Sequence, residues 1–177
     1  QNYVAVMDRG FFSLGNLCEL LDNKISFVMA AKLQLNDLKQ LMTEAQKDID
    51  DVKYLHKFNN EPIFAKPITY NIDNMEVRGY VYYDPKLEQN EKQTLLSRLY
   101  DIREELLKVR LKKNSSPQVA FKEKARGFGN FFEWNVVDNR FDVSIKQNAV
   151  TQRMNKMGKY ILFYSGDFDW LNCLSLY

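Results

Sequence analysis

The amino-acid sequence predicts an α/β protein, and three features lead to that fold class. The first is a strand, a helix and a second strand within residues 3–31. The second is a pair of β-type segments, 68–72 and 76–83, that leads directly into a long amphipathic helix. The third is a closing strand and helix within residues 159–177. Strands and helices that alternate along one chain are typical of a sheet covered by helices.

The opening segment is predicted to be a strand–helix–strand unit. Residues 3–7, YVAVM, form an almost continuous apolar run, which is typical of a strand buried on both faces. Ser13 is placed to cap a helix whose apolar residues are three and four apart. Residues 25–31 form a second apolar run. Because a helix joins the two strands, we expect them to be parallel, with a right-handed crossover.

The next stretch predicts a helix and two strands. At residues 34–57 the apolar side chains recur three and four apart with charges between them, which predicts one amphipathic helix. Pro62 and Pro67 then break this pattern. The segments 68–72 and 76–83 follow and are predicted to be strands, the second because it is rich in aromatic and β-branched residues.

A long helix is predicted after the second of these strands. Asp84 suits its N-cap and Pro85 its first helical position. The helix carries an apolar stripe with heptad-like spacing. We expect the stripe to pack inside a subdomain, and an intermolecular coiled coil is the alternative. The stripe consists of Leu95, Leu99, Ile102, Leu106 and Val109.

The last third of the chain predicts short elements around an aromatic cluster. In order they are a loop at 114–117, strands at 136–137 and 141–145, a helix at 148–156, a strand at 159–164 and a final helix from 170. Asp167 or Asp169 is expected to cap the final helix. The aromatic cluster, punctuated by two glycines, contains Phe121, Phe128, Phe131, Phe132 and Trp134.

Composition and charge narrow the class of protein. With 177 residues, of which 45% are hydrophobic, the chain is expected to fold, which argues against a disordered region. The net charge is only +2, but residues 108–126 hold seven basic residues and one acid. Cys18 and Cys173 match no metal-binding or disulfide pattern, which favours a cytoplasmic location. No apolar run approaches a membrane-spanning length, so a soluble protein is expected.

Asp8 is the first candidate for chemistry. It directly follows the first predicted strand, and the carboxyl ends of strands in α/β folds open onto the ligand crevice. Its position leaves two interpretations open, a catalytic acid or an acid that caps the next helix or pairs with Arg9. Gly10 stands where a phosphatase-type site needs a second aspartate, and a phosphate-binding Gly-x-x-x-x-Gly-Lys loop is absent from the sequence. His56 has no nucleophile partner and is interpreted as a solvated or capping residue.

Two distant segments resemble one protein family. Residues 3–13, YVAVMDRGFFS, with residues 25–32, ISFVMAAK, resemble the segment around the second aspartate of DDE transposases of the insertion-sequence-4-like superfamily. Residues 158–164, GKYILFY, and the helix that ends at Tyr177 resemble the approach to that family's Y-x-x-R-x-x-x-E signature. Residues 79–84, GYVYYD, with the long helix are similar to the family's insertion subdomain.

The resemblance implies a fold and a domain organisation. The fold is a partial ribonuclease-H-like core interrupted by an α+β insertion subdomain. Residues 1–57 would form the first part of the core, residues 58–157 the insertion, and residues 158–177 the return to the core. The chain would be an internal fragment of the catalytic domain.

The resemblance also implies an activity, metal-dependent DNA cleavage and strand transfer in cut-and-paste transposition. Three carboxylates would bind two divalent ions, Mg²⁺ or Mn²⁺. Asp8 would be the second of these acids, both catalytic and metal-binding. The first acid would precede Gln1 and the third would follow Tyr177, so the chain alone is expected to be inactive. The alternative is a non-catalytic nucleic-acid-binding domain of the same fold, and a weaker third hypothesis is a purely structural helical domain.

Several residues are candidates for DNA contact. Basic side chains neutralise phosphates, although each could also be a solvated charge at a helix or strand end. Trp134 could stack on an unpaired or flipped base, as in some relatives, or belong to the core. The partners implied are DNA, as transposon ends and target, and a second copy in the full-length protein, with no membrane. The candidates are Arg9, Lys32, Lys112, Lys113, Lys122, Lys124, Arg126, Trp134 and Tyr177.

Overall fold

The computed structural model describes residues 3–72 and 74–177. They form a mixed α/β protein with a six-stranded sheet and a separate two-stranded sheet. The α/β class predicted from the sequence is thereby confirmed. The chain divides into two compact units, the first running up to Lys86 and resuming at Gly158–Tyr177, the second comprising Leu87–Met157.

The helices and strands alternate along most of the chain. The strands are β1 (Val4–Met7), β2 (Ser26–Ala30), β3 (Leu55–Phe58), β4 (Glu61–Ile72), β5 (Met75–Tyr83), β6 (Phe132–Val137), β7 (Arg140–Ile145) and β8 (Lys159–Ser165). The helices are α1 (Leu14–Asp22), α2 (Asn36–Ala45), α3 (Pro85–Leu107), α4 (Pro117–Ala125), α5 (Gln147–Met154) and α6 (Trp170–Leu176). No helix in the part of the chain that the structure describes has the length and apolar character needed to cross a membrane.

The sheet of the first unit has the strand order β1-β2-β8-β5-β4-β3. β1 and β2 are parallel, as the strand–helix–strand pattern predicted, and each of the other neighbouring pairs is antiparallel. The Ser13 hydroxyl accepts a hydrogen bond from the Asn16 N–H at 3.0 Å, so the predicted cap of α1 is confirmed. The carboxyl ends of β1, β2 and β5 therefore lie at one end of the sheet, together with the start of β8.

Both faces of this sheet are covered. On one face, Leu17 of α1 and Leu38 of α2 are buried against Phe27, Met29 and Phe163 of the sheet. On the other face the apolar side chains pack around Cys173 of α6. The second group consists of Val28, Ala30, Ile63, Ala65, Tyr82, Leu162, Tyr164 and Cys173. The strands β2 and β8 are thus buried on both sides, which explains why their sequences are continuous apolar runs.

The helix predicted over residues 34–57 is wrong in its extent. α2 ends at Ala45, and the chain then turns until β3 begins at Leu55. The apolar spacing persists past Ala45 because Ile49 is also buried, at 2% exposure, although it lies in a turn. An ion pair between Asp48 of this turn and Lys66 of β4 fixes the turn against the sheet.

Pro62 and Pro67 lie inside β4, although the sequence suggested that they interrupt the chain before its strands. β3 pairs only with residues 61–64 of β4, so β4 has one neighbour, β5, at Pro67. Proline is tolerated where a strand has an open edge, because no partner there needs its missing N–H.

The second unit is built around α3. The heptad-like stripe predicted from the sequence is buried inside this unit, with Leu99, Ile102 and Leu106 at 1% exposure or less. It packs with aromatic side chains of α4 and of the β6–β7 hairpin, among them Phe121 and Phe141. The prediction of in-chain packing is therefore confirmed for this stripe. Helix α4, which begins at Pro117, was not predicted.

The two units do not coincide with the domain boundaries inferred from the sequence. Residues 58–86 were assigned to the insertion, but β4 and β5 pair within the six-stranded sheet of the first unit. All nine residues of β5 pair with β4, and β5 also pairs with β8 on its other side. A strand pattern in the sequence identifies a strand but not its partner, which explains the difference.

Candidate functional site

Asp8 lies at the carboxyl end of β1, immediately after Met7. Its Oδ1 accepts a hydrogen bond from the Arg9 N–H at 2.6 Å and caps the short 3₁₀ turn Arg9–Phe11. The capping role that the sequence left open is therefore present in the structure. The side chain is exposed, so the cap does not prevent its carboxylate from meeting a ligand.

Tyr177 is the second donor to the Asp8 carboxylate. Its hydroxyl donates to Oδ1 of Asp8 at 3.1 Å, across 169 positions of sequence. Burial raises the pKa of Tyr177, and the hydrogen bond and the charge of Asp8 raise it further. Both residues were candidates from the sequence, but nothing in the sequence predicted that they touch.

Helix α6 brings Tyr177 to this point. Asp169 caps the helix through the Asn172 N–H at 2.7 Å, and the Asn172 side chain accepts in return from the Asp169 N–H at 3.2 Å. This capping box selects Asp169 over Asp167, the alternative that the sequence left open. Cys173, fully buried, anchors the helix on the sheet, and burial raises the pKa of its thiol to about 12. The thiol therefore acts as an apolar anchor.

Arg9 and Lys32 lie at the same end of the sheet as Asp8. Arg9 follows Asp8 directly, and Lys32 follows Ala31, whose N–H donates to the Ile161 carbonyl at 2.9 Å. Both basic side chains are exposed. Adjacent strands are about 4.8 Å apart, so the ends of β1 and β2 present one acid and two bases to solvent within a small area.

Two further groups at this end were missed in the sequence. Asp84 follows β5 as Asp8 follows β1. Tyr160 is the second residue of β8 and pairs with Tyr82 of β5. Burial is the main cause that raises the pKa of Tyr160, and Asp84 and Tyr177 add to it. Asp84 and Asp8 end strands that are three steps apart in the sheet, roughly 14 Å, which is too far for both to hold one metal ion. An acid after a strand was the signal for Asp84, but it was interpreted as a helix cap.

A metal site can be tested against the donors present. Among the residues that the structure describes, no group of three or more His, Cys, Asp or Glu side chains could hold a metal ion. Asp8 offers one exposed carboxylate, and both of its hydrogen bonds fall on Oδ1. Asp8 therefore suits the role of a single metal ligand, which would bind an ion through its other oxygen, Oδ2. A site for two ions needs further acids.

The basic candidates of the second unit lie on a loop and on α4. Lys112, Lys113 and Lys122 are exposed, whereas Lys124 is half-buried. Arg126 caps α4 in the left-handed conformation, with φ at 48°, and forms an ion pair with Glu105 at 3.7 Å. Arg126 is thus partly neutralised inside the chain, and the exposed lysines are the stronger candidates for phosphate contact.

Two aromatic candidates are held by packing contacts. Trp134 stacks on Phe121 at 4.9 Å between ring centroids and meets the Phe141 ring edge-on at 5.4 Å. These are the contacts expected of a residue at the border of a core. His56 stacks on Trp170 at 4.2 Å, so it packs against α6, where the sequence suggested a solvated or capping residue.

No protein-family model, curated protein or solved structure matches this chain.

Proposed function

We propose that this chain is part of the catalytic domain of a DDE transposase, with Asp8 as the second of three metal-binding acids. One observation carries the proposal, the hydrogen bond from Tyr177 to Asp8 at 3.1 Å. The two residues come from the two segments that resemble the family, at opposite ends of the sequence. A meeting of these segments at one carboxylate is what a shared active site requires.

The direction of α6 gives further support. In the family signature an arginine and a glutamate follow the tyrosine by three and seven residues. If α6 continues, both lie on the same helix face as Tyr177, since residues three, four and seven apart share a face. The bond from Tyr177 to Asp8 turns that face toward the end of β1. In the proposal the glutamate thereby approaches Asp8 from the helix.

The residues at this end of the sheet would have separate roles in binding metal and DNA. Asp8 would hold a divalent ion, and the Tyr177 hydroxyl would fix the carboxylate so that Oδ2 faces the ion. Arg9 and Lys32 would attract the DNA phosphates, and so would the exposed lysines of the second unit. When bound, the ions would activate a nucleophile and stabilise the leaving oxygen. The fragment alone is proposed to be inactive, because it contributes only one of the three acids.

The test uses the full-length protein and a duplex that carries the ends of its own element. Asp8→Asn keeps the size of the side chain and its ability to cap and accept, but removes the negative charge that a metal ligand needs. We expect strand cleavage in Mg²⁺ to fall by more than about 100-fold, since a metal contributes several kcal/mol of transition-state stabilisation. Asp22→Asn, an exposed acid at the end of α1, is the matched control and should leave cleavage unchanged.

A non-catalytic nucleic-acid-binding domain is the second candidate. The observation that favours it is the lack of a three-acid group in the described part of the chain, beside exposed lysines on the second unit. This alternative predicts DNA binding that weakens with salt and is unaffected by Asp8→Asn, with no cleavage by the full-length protein. Wild-type cleavage would exclude it.

A further inference from the structure

Helix α6 turns one face toward the sheet. Four residues form this face at the spacing of a single helix stripe, namely Trp170, Cys173, Leu174 and Tyr177. The first three belong to the apolar group that packs on this side of the sheet, and Tyr177 reaches Asp8. The contact at Asp8 is therefore one end of a continuous row of contacts between α6 and the first unit.

The two ends of this row contact opposite edges of the six-stranded sheet. Trp170 stacks on His56 of β3 at 4.2 Å between ring centroids, with 18° between the ring planes. Tyr177 meets Asp8 at the end of β1, and β1 and β3 are the outermost strands in the strand order. Five strand spacings make roughly 24 Å along the sheet, whereas the helix rises only about 10.5 Å from Trp170 to Tyr177. Helix α6 therefore reaches both edges only through the long side chains at its ends.

Trp170 is held both by its backbone and by its ring. Its carbonyl accepts a hydrogen bond at 2.7 Å from the hydroxyl of Tyr82, a residue of β5 that is fully buried. This bond fixes the place at which the helix starts. The stack on His56 fixes the direction in which the Trp170 ring points. One backbone hydrogen bond leaves a helix free to turn, and the ring contact opposes that turning.

β3 places His56 for this contact. His56 pairs with Ile63 of β4 and shares a face of β3 with Phe58, which packs against the apolar group around Cys173. The next residue toward the start of β3, Leu55, lies on the opposite face and is exposed to 44%. His56 itself is half-buried. An imidazole suits such a border position, because its flat face can pack while its nitrogens meet water.

We propose that His56 is a positioning residue, which sets the orientation of α6 through Trp170 and thereby holds the Tyr177 hydroxyl on Asp8. Trp170 and Tyr177 are seven residues apart and share one face of the helix, so a change in the direction of one changes the direction of the other. A helix of seven residues is not stable by itself in water, so its contacts with the sheet decide its orientation. Cys173, the buried residue of α6, lies between the two ends. The consequence for catalysis rests on the proposed function, in which His56 would act on a metal ligand from the opposite edge of the sheet.

The first experiment follows Tyr177 by fluorine NMR in the 177-residue chain labelled with fluorotyrosine. The Tyr177 resonance is identified by its absence from Tyr177→Phe. In the wild-type chain Asp8→Asn should shift this resonance, because it removes the charge next to the phenol. In His56→Leu, which keeps apolar bulk but removes the flat ring, the resonance should lie where an exposed tyrosine resonates. Adding Asp8→Asn to His56→Leu should no longer shift it.

Further variants separate the stack from general effects on β3. His56→Phe restores a flat ring that can stack on Trp170 and should keep the wild-type response to Asp8→Asn. Leu55→Ala changes the exposed neighbour on the opposite face of β3 and should also keep that response. His56→Gln, a second variant without a ring, should behave like His56→Leu, and circular dichroism shows whether each variant is folded. A wild-type response in folded His56→Leu or His56→Gln would overturn the inference, and so would an equal loss of the response in Leu55→Ala.

The second experiment measures DNA strand cleavage by the full-length protein. His56→Leu should lower kcat by roughly tenfold, the small end of the range for a residue that supports a metal ligand, and should leave KM for DNA unchanged. His56→Phe should restore kcat. A lost NMR response with unchanged cleavage would support the positioning role of His56 and contradict the proposed role of Asp8. A retained NMR response would contradict the positioning role itself, so failure of the inference and failure of the proposed function give different results.

Discussion

The Asp8 carboxylate accepts hydrogen bonds from a backbone donor next to it and from a side chain at the other end of the sequence. The Arg9 N–H bond is a local capping contact that a sequence suggests, because aspartate before a turn is a common cap. The Tyr177 bond depends on the whole sheet and on α6, so no local pattern predicts it. The same carboxylate therefore serves local structure and, in the proposal, chemistry.

The ionisation of Tyr177 is expected to depend on the negative charge of Asp8. The raised pKa of Tyr177 means that the fold favours the protonated phenol. The stability that comes from this bond is present at neutral pH and is lost as the pH rises through the raised value. The difference between the ultraviolet titration curves of the wild type and Tyr177→Phe reports the ionisation of Tyr177. This difference should appear at a higher pH than the ionisation of an ordinary tyrosine. Asp8→Asn should move that ionisation to lower pH, because it removes the negative charge beside the phenol. An unchanged difference curve in Asp8→Asn would contradict the bond.

At the scale of elements, the sequence predicted those strands and helices whose own residues determine them. β1, α1, β2 and β8 were predicted at nearly their observed positions, because apolar runs and caps are local signals. The start of α3 was also predicted correctly, but the helix was expected to reach Lys112 and Lys113 and ends at Leu107. α2 was predicted too long, since Ile49 continues the helical spacing from within a turn. The extent of β4 was underestimated because the effect of Pro67 depends on whether a neighbouring strand is present.

The close approach of β5 and β8 depends on Gly79. A Cβ at this position would lie 2.8 Å from the Leu162 carbonyl oxygen and 2.8 Å from Cδ1 of Phe163. Because Leu162 and Phe163 are central to the core, neither can move freely. Gly79→Ala should lower the free energy of unfolding by about 1–3 kcal/mol, as overpacking does in other cores.

Chemical denaturation of the two variants Gly79→Ala and Gly10→Ala measures this effect. A Cβ at Gly10 would meet nothing within 4 Å, so the second variant controls for the change from glycine to alanine itself. Equal stability of the two variants would show that the β5–β8 contact is looser than the structure indicates.

At the scale of the whole molecule, the sheet order decides which residues can act together. The order β1-β2-β8-β5-β4-β3 puts the end of β1 beside the end of β2 and near the start of β8, and α6 returns the chain to the same place. Asp8, Arg9, Lys32 and Tyr177 are candidates for one site only because of this order. The sequence identified these residues but not their arrangement, since pairing between distant strands leaves no local signal. The basic cluster belongs to the second unit, and its part in DNA binding remains a separate prediction.

The central claim is that Asp8 binds a catalytic metal ion, and metal-ion rescue tests it most directly. The measurement is DNA strand cleavage by the full-length protein with Asp8→Cys, in Mg²⁺ and then in Mn²⁺. Thiolate is a poor ligand for Mg²⁺ and a better one for a softer ion. We expect the variant to be inactive in Mg²⁺ and to recover part of its activity in Mn²⁺, while the wild type is active in both. Full activity of the variant in Mg²⁺ would contradict a metal-binding role for Asp8, and so would the lack of any recovery in Mn²⁺.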